Sequence, residues 1–145
     1  MIRIICVGKI KESYLKDLIN DYTKRISKYH KIEIIEIKDS DKLIIESKEI
    51  LKYLSDTHYN IALTIDGTKM NSESFAKYID NLYNYHSTIN FVVGASNGLD
   101  KSVIDKCNTC ISFSDFTFPH GLFRGILLEQ IYRAFKINNN ESYHK

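Results

Sequence analysis

The chain has 145 residues, with 20 Lys and Arg against 18 Asp and Glu, and 43% of its residues are hydrophobic. That is one domain's length, and the composition excludes a disordered or fibrous chain. The net charge of +2 does not by itself announce a nucleic-acid binder, and apolar runs such as Ile4-Ile5-Cys6-Val7 fall far short of the ~20 residues that span a bilayer.

In chain order, Ile2–Val7 is compact and β-branched and stops at Gly8, the pattern of a buried strand. Leu15, Leu18, Tyr22, Ile26 and Tyr29 recur at steps of three and four and mark one face of a helix. Ile32–Ile37 alternates Ile with Glu, which predicts a strand with one wet face. Leu43 to Leu54 is again helical, with Leu43, Ser47, Ile50 and Leu54 on one side. Ile61–Ile65 is a third strand, closed by the turn signal Asp66-Gly67. Asn71 or Ser72 caps the next helix, whose buried stripe is Phe75, Ile79, Leu82 and His86. Ile89–Val93 is a fourth strand ending at Gly94, Lys101–Lys106 a short helix, and Cys110–Phe113 a fifth strand. The last helix runs from Gly121 to Ile137.

Strands alternating with helices predict an α/β fold, a parallel sheet with helices on both faces, in a single domain over residues 1–145. In the last helix, Leu122, Phe123, Ile126, Leu127, Leu128, Ile131, Ala134 and Phe135 cover far more than one ~100° stripe. In so small a domain the second covered side points to a partner copy, hence a homodimer.

Charge is unevenly spread. Residues 1–31 hold eight Lys/Arg and three Asp/Glu, whereas residues 61–118 hold four and six. A basic end suits an anionic macromolecule and a mildly acidic centre a cationic small molecule. The three cysteines are an odd number, and no charged leader precedes an apolar stretch. Both point to a reduced, cytoplasmic setting. Cys107 and Cys110 have redox or zinc spacing, but no second cysteine pair completes four ligands, so no metal is expected.

Three segments carry candidate chemistry. Val92 to Leu99 runs from a strand into a Gly-containing corner, where α/β sheets place their ligands, without the spacing of a phosphate loop. Phe113 to Gly121 contains the only proline and three Phe beside two hydroxyls; rings in a loop either wall a ligand or tuck onto the core. The third is the polar set Arg124, Glu129, Gln130, Tyr132 and Arg133 with the tail Tyr143-His144-Lys145. An arginine among apolar residues calls for a paired acid or an external anion, and a tail either frays or meets RNA.

The Gly94 corner, Ser114-x-x-Thr117-Phe118-Pro119-His120, the helix sequence from Leu127 to Phe135, and the terminal Tyr143-His144-Lys145 together resemble the ribosomal large subunit pseudouridine methyltransferase H family. The opening Ile5-Cys6-Val7-Gly8-Lys9 is similar to its first strand and turn. The likeness runs end to end, with Ala95 where the family often has a second glycine and Gly121 where proline is frequent. The resemblance implies the SPOUT class, with a C-terminal trefoil knot. It also implies S-adenosyl-L-methionine as cofactor and methylation of N3 of a pseudouridine in 23S rRNA of the assembled 70S ribosome, by a homodimer. The implied cofactor contacts are Leu63, Gly94, Phe113, Ser114, Asp115, Phe116, Thr117 and Phe118, with Gly98 of the same corner as Gly94. For the chemistry, His144 is nearest in pKa to removing the imide proton, Tyr143 suits orienting the base, and Arg124 or Arg133 suits developing charge on a carbonyl. Three readings compete with this one: a SPOUT enzyme acting on transfer RNA, a non-catalytic RNA-binding dimer, and a purely structural dimerising protein that binds neither cofactor nor RNA.

Overall fold

Strands covered on both faces are apolar nearly throughout, and Ile2–Val7 (β1) and Ile89–Val93 (β4) depart from this only at Arg3 and Asn90. A computed structural model, which describes residues 1–145, pairs these two strands inside a five-stranded parallel sheet. The other strands are Ile32–Ile37 (β2), Tyr59–Lys69 (β3) and Thr109–Ser112 (β5), in the order β2-β1-β4-β3-β5. The helices are Ser13–Ile26 (α1), Leu43–Leu51 (α2), Ser72–Tyr83 (α3), Lys101–Lys106 (α4) and His120–Asn138 (α5).

Successive strand residues point to opposite faces, and the core divides accordingly. Ile2, Ile4 and Cys6 of β1 join Ile61, Phe91 and Ile111 under α1, α3 and α5. Ile5 and Val7 join Ile35, Ile37 and Val92 under α2 and α4. Helices thus cover both faces, as expected. Capping fixes where two of them begin. Asn71 Oδ1 accepts from the Ser74 amide at 2.8 Å, and Asp100 Oδ2 from the Ser102 amide at 3.1 Å.

Four expectations are revised. β3 does not end at Asp66-Gly67: it bulges there and resumes pairing with β5 through Thr68 and Lys69. A Cβ on Gly67 would stand 2.7 Å from the Ile111 backbone, so this glycine marks a close approach of strands rather than a turn. β5 begins at Thr109, one residue before the expected start, and Phe113 lies beyond it. His86 falls outside α3 and sits against the Tyr59 ring. The apolar circumference of α5 is met largely within the chain, because α1 packs on one side of it and α3 on another.

On the α2 side, at the amino ends of the strands, Asn90 Nδ2 donates to Asn60 Oδ1 at 2.8 Å and lies 3.2 Å from His58 Nδ1, which therefore accepts. Burial, with Arg3 and the chain's amino group nearby, holds the His58 pKa below its ordinary value. A histidine depressed in the folded state binds fewer protons there than in the unfolded chain. Its stabilisation is therefore present above about pH 6.5 and is lost as pH falls. Urea midpoints should drop between pH 7.5 and 5.5, and the drop should be smaller for His58→Gln; an equal drop in both would show that His58 contributes nothing.

Candidate functional site

The carboxyl ends of the strands open into one cavity of about 1500 Å³, where ligands of α/β sheets are held. One half lies over β3, β4 and β5, lined by Leu63, the 93–99 corner, and the segments 111–114 and 116–118. The other half lies over β1 and β2, lined by Val7 to Glu12, Glu36 to Ser40, Glu46 and Arg124.

The corner after β4 is held tightly. The Gly98 amide donates to the Ala95 carbonyl at 2.8 Å, and Gly98 takes φ +70°, a value that suits glycine. A Cβ on Gly94 would stand 2.5 Å from the Gly98 carbonyl oxygen, so the turn closes only over a residue without one. In the second loop the Ser114 hydroxyl accepts from the Phe116 amide at 3.0 Å, which shapes the bend. Two of its rings, Phe113 and Phe116, divide the two roles open to them. Phe113 packs edge-on against Phe75 and Phe123, at 5.8 and 5.4 Å between centroids, and anchors the loop. Phe116 is 77% exposed at the rim.

Of the expected contacts, Leu63, Gly94, Gly98, Phe113, Ser114, Phe116, Thr117 and Phe118 all line this cavity. Asp115 does not: it is exposed and pairs with Lys69. Arg124 lines the cavity but is 3% exposed and is spent structurally. Its Nη1 donates to Glu36 Oε2 at 2.7 Å and its Nη2 to the Gly8 carbonyl at 3.0 Å, tying the start of α5 to the ends of β2 and β1. Arg133, Tyr143 and His144 lie away from the cavity, against the outer side of α5 and the start of α3. Arg133 grips Glu129 Oε1 through Nε and Nη2, at 3.0 and 2.6 Å, and lies over the Tyr143 ring. Tyr143 donates to the same oxygen at 3.0 Å; burial and its hydrogen bonds to Tyr22 and Glu129 raise its phenol pKa. His144 Nδ1 is 3.1 Å from Arg133 Nη1, and its Nε2 is 3.1 Å from Glu73 Oε1. Because an arginine only donates, Nδ1 accepts and the ring proton sits on Nε2.

Both interior arginines thus have an acid, Glu36 and Glu129, as their apolar surroundings demand. Sequence reasoning missed Glu36 and Glu46 as cavity residues. Glu46 had a visible signal, since it lies three residues after Leu43 and four before Ile50, on the buried stripe of α2. Cys6 is a core thiol, pushed up to about 11 by burial, and burial pushes Cys107 up to about 12. No three His, Cys, Asp or Glu side chains gather into a metal-binding group, and no helix is long and apolar enough to cross a membrane.

Known proteins resemble this chain along its whole length. The sequence profile of a family described as predicted SPOUT methyltransferase matches residues 1–144. The ribosomal RNA large subunit methyltransferase H of Fusobacterium nucleatum is 47% identical over 153 residues, with 99% of each chain covered. The proteins of the same name from Finegoldia magna and Bifidobacterium animalis are 49% and 48% identical over 157 and 158 residues, again with 99% of each chain covered. Among solved structures, a probable methylase family protein from Haemophilus influenzae superposes with a TM-score of 0.58 at 14% identity, covering 99% of this chain and 70% of that one. That likeness concerns the fold alone.

Two outcomes follow for the cavity. Gly94→Ala is expected to weaken binding of S-adenosyl-L-methionine about tenfold by calorimetry, a loss of about 1.4 kcal/mol, since a Cβ 2.5 Å from the Gly98 carbonyl oxygen forces the corner to open; unchanged affinity would remove this corner from the binding site. Glu36→Gln leaves the buried Arg124 short of its anion and should cost roughly 1.5–3 kcal/mol of stability, read from urea denaturation.

Proposed function

The chain belongs to the SPOUT methyltransferase family, and from that premise we propose that it methylates N3 of a pseudouridine in 23S rRNA of the assembled 70S ribosome, using S-adenosyl-L-methionine and acting as a homodimer. The observation that carries this reading is the convergence of two loops far apart in sequence, the Gly94 corner and the 113–118 bend, on one cavity. The naming of the full-length relatives as ribosomal RNA large subunit methyltransferase H supports the substrate.

The residues present suit the cofactor. Leu63, Leu99 and Ile111 offer apolar walls, and the two loops offer main-chain groups for an adenine edge. When bound, S-adenosyl-L-methionine supplies a methyl group on a sulfonium. The protein holds the pseudouridine N3 in line with it, and positioning of this kind supplies roughly 7–11 kcal/mol at best. The imide proton must leave N3, and His144 is the group to take it. Its Nδ1 lone pair is engaged by Arg133, so the imide N–H replaces that donor as the base enters. Tyr143 then orients the base and Arg133 faces charge developing on a carbonyl.

The placement of these groups supports homodimerisation. The tail stands away from its own chain's cavity, whereas Tyr14, Ile65, Phe116 and Leu122 form an exposed apolar rim around that cavity. A partner copy covering the rim brings its tail to the cofactor, so each site is composite. The same reading includes a threaded C-terminal segment, supported by α5 packing on α1 and α3 although it follows the edge strand β5. It also includes a cytoplasmic setting, supported by three free thiols.

The direct test is tritiated methyl incorporation into ribosomes from a strain lacking the gene, followed by nucleoside mass spectrometry. N3-methylpseudouridine in 23S rRNA is expected, and labelled transfer RNA instead would overturn the substrate. His144→Ala should leave cofactor affinity unchanged and cut turnover about 10²–10⁴-fold; unaltered turnover removes His144 from the mechanism.

A further inference from the structure

The cavity exceeds the ~300–1,000 Å³ that a single small-molecule ligand usually occupies, since its volume is about 1500 Å³. The half over β3 to β5 carries the contacts expected for the cofactor, which leaves the half over β1 and β2. That half holds Glu46, which is 2% exposed. The Ser40 amide donates to its Oε2 at 2.8 Å, but its Oε1 is buried with no hydrogen-bond partner. A buried carboxylate oxygen without a donor is costly, and in a ligand cavity it marks where a ligand's N–H or O–H belongs. The rim of the same half carries Lys9, Lys11 and Lys38, none of which is in an ion pair. Unpaired lysines around a polar floor suit a nucleotide, with phosphates on the ammonium groups and a base edge inside.

We propose that the β1–β2 half of the cavity is the subsite for the target nucleotide and that Glu46 Oε1 accepts the N1–H of pseudouridine, making Glu46 the residue that selects pseudouridine over uridine. The inference rests on the function proposed above. Pseudouridine is joined to its ribose through carbon, so its N1 keeps a hydrogen, whereas in uridine N1 bears the sugar. An acceptor-only carboxylate detects that difference, because uridine would leave the buried oxygen unpaired. Two ring bonds separate N1 from N3, so a base held through N1–H presents N3 from an adjacent edge toward the half that holds the cofactor.

The test compares methyl transfer to 70S ribosomes from a strain lacking the methyltransferase gene with transfer to ribosomes that also lack the pseudouridine synthase acting at that position. The unaltered protein should prefer pseudouridine by about 100-fold or more in kcat/KM. Glu46→Gln should lose most of that preference by slowing the pseudouridine reaction, with the uridine rate held within about threefold and calorimetric cofactor affinity within about twofold. A preference below about threefold in the unaltered protein overturns the proposal whatever the variant does. So does a Glu46→Gln variant that slows both substrates equally or neither, or that loses cofactor affinity, which would assign Oε1 to the cofactor's ammonium. If the unaltered protein methylates neither ribosome, the functional reading itself has failed and this subsite falls with it.

Discussion

One covalent connection constrains everything above the sheet. β5 is an edge strand, yet the helix that follows it packs against both α1 and α3, with its start tied to β1 and β2. The segment from Phe113 to Pro119 must therefore travel across the carboxyl ends of the strands, and it roofs the cavity in doing so. Arg124 fastens the far end of that crossing, with Glu36 at the end of β2 and the Gly8 carbonyl at the end of β1. A buried guanidinium with two such partners has one geometry, which fixes where α5 starts. Phe113, wedged against Phe75 and Phe123, fastens the near end.

This arrangement separates the two kinds of work a methyl transfer needs. The Gly94 corner and the crossing segment shape a pocket from backbone and apolar walls. The polar tail that could move a proton is packed on the outer side of α5, where Glu129 gathers Arg133 and Tyr143 onto one oxygen. A chain of 145 residues has little core to give up for a deep active site. In the proposed homodimer, assigning the pocket to one copy and the tail to the other lets each remain packed, with the copies meeting at the apolar rim around the cavity.

Much of this was legible in the sequence, for identifiable reasons. Continuous apolar runs in β1 and β4 and 3–4 spacing in α1 and α3 are properties of burial, and they gave element type and both covered faces. The Asp66-Gly67 pair misled because a glycine needed for strand-to-strand closeness looks the same in sequence as one needed for a turn. The apolar girth of α5 was rightly read as burial on several sides, but which surfaces covered it depended on the chain's crossing, which composition does not encode. For the site, glycine and phenylalanine content located the Gly94 corner and the 113–118 segment, and the family resemblance added Leu63; all line the cavity apart from the outward-facing Asp115. Arg124 was correctly seen to need an acid. That the acid was Glu36, and that Arg124 was thereby taken up in structure, depended on contacts 88 residues apart. Glu46 went unnoticed although its place on the buried stripe of α2 was visible, and its unpaired oxygen emerges only in the fold.

The claim that one copy's pocket works with the other copy's tail is tested most directly by mixing subunits. In the proposed homodimer, Gly94→Ala, assayed with the cofactor held well below its weakened Kd, and His144→Ala each impair both sites, in different halves. Unfolded together in equal amounts and refolded, they form mixed dimers in which one site joins an intact pocket to an intact tail. Methyl transfer to ribosomes should then recover to about one quarter of the unaltered protein's rate. A mixture no more active than the mean of its two components would contradict the shared site and place the chemistry within a single chain.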